Sequence, residues 1–136
     1  MNEDFVTYEI AKMLKEKGYN CELPYAMYNE IGQFCLLTTS APYHVCESGY
    51  KYREYYDYND FDKNDFIAPT ISQVLKWLRK EKKIHISIDI WGRTWGYDIL
   101  NLPSGNSLHW TAYDENINNY EQAALAGIEY VIDSLI

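Results

Sequence analysis

The segment from Ile84 to Ile90 constrains the fold most strongly, because apolar and polar residues alternate in it without a break. Isoleucine stands at every second position, and His85, Ser87 and Asp89 stand between the isoleucines. Successive side chains of a β-strand point to opposite faces of a sheet, so a period of two predicts a strand with one buried face. We therefore expect a sheet that packs against a core on one side only.

Two segments downstream have the same strand-like pattern, and the connections between them are short. The second of these segments, Ser107 to Tyr113, places Trp110 on one face of the predicted strand and His109 on the other. Short turns favour an antiparallel meander, because parallel neighbours need long crossovers. Two earlier segments are also β-prone and are predicted to pair across Gly32. The four additional strands are expected at Tyr97 to Leu102, Ser107 to Tyr113, Tyr25 to Ile31 and Gln33 to Thr39.

Three segments have the spacing of amphipathic helices, with apolar residues three and four positions apart. Each follows a residue type that can cap a helix, namely Thr7, Thr70 and Asn119. A glutamine stands three residues after Thr70 and after Asn119, as in a capping box. Gly127 lies inside the third helix, where glycine costs stability, so we expect a close backbone contact there. The predicted helices are Tyr8 to Lys17, Ile71 to Lys82 and Tyr120 to Leu135.

The order of these elements predicts an α+β fold. One mainly antiparallel sheet of about five strands is expected to be packed by three helices, in the order α-β-β-α-β-β-β-α. A chain of 136 residues has an ordinary length for one domain, so we predict a single domain over residues 1–136. An irregular Tyr- and Asp-rich segment interrupts the pattern at about residues 40–66.

The charge and the cysteine content indicate which cellular compartment and which classes of binding partner the sequence favours. The formal net charge is −8, and a negative field repels nucleic-acid phosphates and anionic membranes. Cys21, Cys35 and Cys46 lack the spacing of a disulfide framework or a zinc site. Residues Met1 to Asp4 are acidic, unlike the start of a signal peptide, and no apolar run has membrane-spanning length. We expect a cytoplasmic protein with no metal and no cofactor.

The Tyr- and Asp-rich segment is the first candidate for a functional surface. Tyrosine suits interfaces, because its ring is apolar and its hydroxyl forms hydrogen bonds. Rings beside carboxylates would bind a basic, partly apolar protein, although a solvated loop whose rings fold back onto the sheet has the same composition. The candidate binding residues are Tyr52, Tyr55, Tyr56, Asp57, Tyr58, Asp60 and Asp62.

The same segment begins like a calcium-binding loop at Asp60, Asp62 and Asn64. Asp65 then stands where such a loop needs glycine, and Ile71 where it needs the bidentate glutamate. The pattern therefore does not predict a calcium site.

A second candidate is a small acid–base site on the polar face of the predicted sheet. His85 and Asp89 share one face of one strand, and His109 lies on a nearby strand. A carboxylate can fix an imidazole tautomer for acid–base catalysis. The alternative is the ordinary polar face of an antiparallel sheet. His44 and Cys46 could also form a base and a nucleophile, but no orienting carboxylate or oxyanion hole accompanies them.

A third candidate is a basic cluster at the end of the second predicted helix, formed by Lys76, Arg79, Lys80, Lys82 and Lys83. It could contact phosphate groups, or the acidic segment of a second copy in a homodimer. Cations at the C-terminus of a helix also stabilise the helix dipole, and this local role is sufficient to explain them.

Three stretches cover parts of the three predicted helices, namely FVTYEIAKMLKEKGY (Phe5 to Tyr19), APTISQVLKWLR (Ala68 to Arg79) and NYEQA (Asn119 to Ala123). They resemble a family of small, uncharacterised phage- and prophage-associated proteins of Bacteroides-type gut bacteria. The resemblance implies a phage or mobile-element origin, and it brings no catalytic residue, substrate or partner with it.

The resulting hypothesis is a non-enzymatic protein-binding module of phage or prophage origin that acts through an acidic, Tyr-rich surface. The alternative is a small enzyme with its site around His85, Asp89 and His109. The sequence contains no Gly-rich phosphate loop and no hydrolase motif, which favours the binding module.

Overall fold

The computed structural model describes residues 5–20, 26–36, 44–45, 51–53 and 64–136. Its backbone divides into two compact units, Met1–Pro69 and Thr70–Ile136. The fold is α+β with three helices, as the sequence predicts. The strands differ from the prediction of one sheet of about five, because the described residues form two three-stranded antiparallel sheets, one in each unit, and a two-stranded pairing.

The first unit begins with helix α1, Tyr8–Glu16. The Thr7 side chain accepts a hydrogen bond from the Ile10 amide, which confirms the predicted N-cap. Gly18 follows the helix with a φ of +83°, the left-handed conformation that glycine adopts most easily. Ile10 and Leu14 lie on the buried face of the helix.

The sheet of this unit has three very short strands in the order β2-β1-β5. They are β1, Ala26–Tyr28, β2, Phe34–Leu36, and β5, Phe66–Ile67, and the remaining pair is β3, His44–Val45, with β4, Lys51–Arg53. The hairpin between β1 and β2 turns at Gly32, as predicted, and Asn29 Oδ1 accepts hydrogen bonds from the amides of Ile31 and Gln33. The sequence pattern predicted none of β3, β4 and β5, because it assigned the segment at about residues 40–66 to irregular structure.

Aromatic rings hold α1 against this sheet. Tyr8 makes edge-on contacts with Tyr28 and Phe66, each with ring centroids 5.6 Å apart. Tyr28 also contacts Phe34, and its hydroxyl donates to the Val6 carbonyl over 2.6 Å. Tyr28 therefore belongs to the core of this unit, and the hydroxyls of Tyr8 and Tyr28 both donate to backbone carbonyls.

The second unit begins with helix α2, Ile71–Trp77, which continues as a π-helical turn, Leu78–Lys82. The predicted capping box at its start is confirmed. The Gln73 amide donates to Thr70 Oγ1 over 3.1 Å, and the Thr70 amide donates to Gln73 Oε1 over 2.9 Å.

Helix α3, Tyr120–Tyr130, also continues as a π-helical turn, Val131–Leu135. The Asn119 side chain caps it by accepting from the Gln122 amide over 2.8 Å. The second half of the expected box is displaced by one residue, because Gln122 Oε1 accepts from the Asn118 amide rather than from that of Asn119.

The sheet of the second unit is the predicted antiparallel meander, in the order β6-β7-β8. Its strands are β6, Ile84–Trp91, β7, Thr94–Asn101, and β8, Ser107–Thr111. Helix α3 contacts β6, β7 and α2. A Cβ atom on Gly127 would lie 2.9 Å from Ile86 Cγ2 and 3.3 Å from Tyr97 Cγ, so the predicted close contact at this glycine is confirmed.

No helix in the described part of the chain combines the length and the apolarity that crossing a bilayer requires.

Candidate functional site

The β6–β8 sheet has two faces of different character, and its register assigns each side chain to one of them. Ile86 pairs with Ile99, and Ile99 pairs with His109. Residues opposite each other in a sheet share a face, so these three side chains point toward α3, against which Ile86 packs at Gly127. We name this side, which also includes Tyr97 and Thr111, the covered face.

The opposite side consists of half-exposed and exposed side chains, and we name it the open face. Ser87 pairs with Asp98, and Asp98 pairs with Trp110, so one row crosses all three strands. The Trp91 ring lies over Gly96, where a Cβ atom would be 3.0 Å from it. The open face comprises His85, Ser87, Asp89, Trp91, Asp98, Leu100 and Trp110.

The structure does not bring the three residues of the hypothetical acid–base site together. His85 and Asp89 lie on the open face of β6, as predicted, but they are four residue steps apart along the strand, a distance of about 13 Å. His109 lies on the covered face. The Asp89 carboxylate instead accepts a hydrogen bond from the Ile90 amide over 2.8 Å.

His109 joins a cluster of rings between β8 and α3. Its imidazole stacks on the Tyr130 ring with centroids 3.8 Å apart and planes 8° apart. The Tyr97 ring lies 5.9 Å from His109 and is 6% exposed. Burial, the largest cause, and the neighbouring Tyr130 raise the pKa of Tyr97, while a hydrogen bond with the Thr111 side chain opposes this shift. The cluster is therefore a packed structural element that joins β8 to the helix.

Strand β8 lies at the edge of its sheet, and in the described residues its only strand partner is β7. It contains none of the charged residues or prolines that commonly protect an edge from further pairing. One bulge interrupts its register near Leu108, while His109, Trp110 and Thr111 pair regularly with β7.

Two large apolar side chains of β8 are exposed to solvent. Trp110 is 62% exposed and Leu108 is 44% exposed. They line an open groove of about 410 Å³ together with Ser107 and His109. The Ser107 hydroxyl donates to Asp98 Oδ1 over 2.6 Å, so a carboxylate of the neighbouring strand β7 lies next to this groove.

The basic cluster lies on α2 and its π-helical turn, and all five cations are exposed. The ammonium group of Lys82 lies 5.4 Å from the centre of the Trp77 ring. Among residues 64–136, no ion pair involves these cations. Their position at the helix C-terminus agrees with the local role that the sequence suggested.

The predicted Tyr- and Asp-rich surface falls almost entirely outside the described residues. Tyr52 lies in β4, and Tyr55, Tyr56, Asp57, Tyr58, Asp60 and Asp62 lie outside them. His44 lies in β3, whereas its hypothetical partner Cys46 is also outside. Cys35 is buried in β2, as expected of an inert thiol. Within the described residues, no three His, Cys, Asp or Glu side chains are placed to hold a metal ion.

Sequence reasoning missed β8 as a surface, although a signal for it was present. β8 ends the predicted meander, and the last strand of a meander occupies an edge unless another strand covers it. A tryptophan on such a strand is therefore a candidate for exposure. Comparison with known proteins adds no relative to this description, since no protein-family model, curated protein or solved structure matches the chain.

Proposed function

We propose that this chain is a non-enzymatic protein-binding module of phage or prophage origin, and that β8 with the adjoining open face is its contact surface. The observation that supports the proposal most directly is the exposure of Trp110 on the edge strand β8. Tryptophan is among the residues most enriched at the energetic centres of protein interfaces. Large apolar side chains exposed next to one another commonly mark interaction sites.

The charge of the open face indicates the kind of partner. Asp89 and Asp98 are its charged residues, together with the titratable His85, and it contains no lysine or arginine. The chain as a whole has a net charge of −8. Carboxylates beside indole rings favour a basic, partly apolar protein over a nucleic acid, because phosphate groups would be repelled.

The Tyr- and Asp-rich segment from Tyr52 to Asp62 has the same combination of rings and carboxylates. We propose it as a second surface of the same function, acting in the cytoplasm. An enzymatic function around His85, Asp89 and His109 has less support, because these side chains do not converge.

The proposal is tested by affinity capture from a lysate of a Bacteroides-type host, with three matched baits compared by quantitative mass spectrometry. The baits are the wild type, Trp110→Ser and Ile31→Ser, a control because Ile31 is 73% exposed in the other unit. We expect at least one protein to be retained by the wild type and by Ile31→Ser, and to be depleted about tenfold or more with Trp110→Ser. Equal recovery of every protein on all three baits would contradict the proposed surface.

A further inference from the structure

We infer that β8 accepts an extended peptide segment with alternating basic and apolar side chains as a fourth strand of its sheet. This inference rests on the proposed function and specifies its partner. Trp110 and Asp98 on the open face would receive the basic side chains, and the ring of Tyr130 on the covered face would receive the apolar ones.

The backbone of β8 lies at the edge of the sheet, where an added strand can form main-chain hydrogen bonds with it. An edge strand presents its outward N–H and C=O groups without a partner strand, and an added strand satisfies them. The five residues of β8 span about 17 Å, enough for several main-chain hydrogen bonds. The stack of His109 on Tyr130 fixes the regular part of the strand, so little ordering is needed before a peptide binds.

The open face supplies the preference for basic side chains. Trp110 pairs with Asp98 of β7, so Asp98 lies on the neighbouring strand, one strand spacing of about 4.8 Å farther from the sheet edge. A guanidinium or ammonium group beside β8 would contact the ring face of Trp110, and its charge would be attracted by Asp98. The hydrogen bond from Ser107 holds this carboxylate toward β8.

The covered face supplies the apolar half of the pattern. Side chains of an added strand alternate between the two faces, so those between the basic residues would lie beside His109 and Thr111. Both residues are half-buried, and His109 stacks on the Tyr130 ring while Thr111 lies beside Tyr97. β-Branched residues such as valine suit this position.

Charge also selects against a second copy as the occupant. Pairing of β8 with β8 of another chain would bring two open faces with the same carboxylates together, and each chain has a net charge of −8. Two copies of the same net charge repel each other, whereas a cationic segment is attracted by the same groups.

Fluorescence anisotropy with three labelled peptides tests the inference. The first alternates arginine with valine, the second replaces arginine with glutamate, and the third has the first sequence with alternate backbone amides methylated. We expect the arginine peptide to bind the full chain with a Kd on the order of 10–100 µM. The other two peptides should bind about tenfold more weakly or not at all, because one loses the charge and the other loses the strand hydrogen bonds.

Variants of the chain locate the site. Asp98→Asn and Trp110→Ala should each weaken the arginine peptide about tenfold, and Ile31→Ser should not change its Kd. In two-dimensional NMR, the amides of His109, Trp110 and Thr111 should shift on titration with the peptide. Both substituted side chains are at least partly exposed, and unchanged melting temperatures would show that the variants are folded.

Three outcomes would overturn the inference. They are equal binding of the methylated peptide, unchanged binding by Asp98→Asn, and a dimer in analytical ultracentrifugation that Trp110→Ala abolishes. If no peptide binds while capture still yields a protein that depends on Trp110, strand addition is wrong and the proposed function remains. If neither peptide binding nor capture from the lysate depends on Trp110, strand addition and the proposed function are both wrong.

Discussion

The imidazole of His109 lies flat on the ring of Tyr130, with centroids 3.8 Å apart. This contact joins the edge strand β8 to helix α3, whereas the main contacts of α3 with the sheet are to β6 and β7. It explains why a polar residue of β8 faces the helix while Trp110 faces solvent. The stacked pair thus adds a contact with the helix to the pairing that holds β8 against β7.

Removing the His109 ring should therefore destabilise the second unit. His109→Ala is expected to lower the free energy of unfolding by about 1–2 kcal/mol, because stacking and partial burial are both lost. His109→Phe should retain most of the stability, since it retains a ring. Urea unfolding of the single variants, of Tyr130→Ala and of the double variant measures the coupling, which we expect to be near 1 kcal/mol. A coupling of zero would show that the stack contributes nothing.

Gly127 of α3 should not tolerate a methyl group. In an exposed helix, Gly→Ala stabilises by roughly 0.5–1 kcal/mol. Here the added Cβ would lie 2.9 Å from Ile86 Cγ2, and overpacking of this kind costs about 1–3 kcal/mol. Gly127→Ala is therefore expected to lower the melting temperature.

Ile86, with which the added Cβ would clash, provides a control for Gly127→Ala. Ile86→Leu removes the Cγ2 methyl group, so Gly127→Ala combined with Ile86→Leu should be more stable than the sum of the single effects predicts. Additive effects would mean that the contact with Ile86 is not the source of the destabilisation.

Local signals in the sequence predicted the helices, because caps and amphipathic spacing act within a few residues. Thr7 and the Thr70–Gln73 box have their predicted roles. Strand alternation likewise predicted the meander from Ile84 onward. Such features are determined by neighbours along the chain, which the sequence displays directly.

Features determined by distant residues were not predictable in the same way. β5 has two residues, too few for any alternation, and it exists because Met27 and Tyr28 of β1 pair with it. The alternating sequence of β8 predicted a strand but not which of its two faces is buried, because that depends on where Tyr130 of α3 lies. Which side chains share the open face with Trp110 followed only from the register of the assembled sheet.

The capping box of α2 should be measurable as stability. Thr70→Ala removes the acceptor for the Gln73 amide and is expected to cost about 1 kcal/mol. Thr70→Ser keeps a hydroxyl and should stay within a few tenths of the wild-type value. Ser72→Ala, at an exposed position of the same helix, is the matched control and should not be destabilising. The box would be dispensable if Thr70→Ala and Ser72→Ala had the same free energy of unfolding.

The buried Tyr97 should make the stability of the protein fall at alkaline pH. Burial raises the pKa of Tyr97 above its ordinary value of 10.0, so on raising the pH the unfolded chain loses this proton before the folded chain does. The contribution to stability is complete below the unfolded pKa and is lost as the pH rises from there through the raised folded pKa. Tyr97→Phe has no such proton, and it also loses the hydrogen bond with Thr111, worth roughly 0.5–1.5 kcal/mol.

Urea unfolding between about pH 8 and pH 11 measures this effect as the difference between the wild type and Tyr97→Phe. The wild type should be the more stable protein at the lower end, and its advantage should shrink as the pH rises. The comparison uses the difference between the two proteins because all their other titratable side chains are the same. Tyr113→Phe, at a position that is 69% exposed, should follow the wild type at every pH. A difference between the wild type and Tyr97→Phe that stays constant with pH would show that the Tyr97 hydroxyl is not sheltered from water in the folded protein.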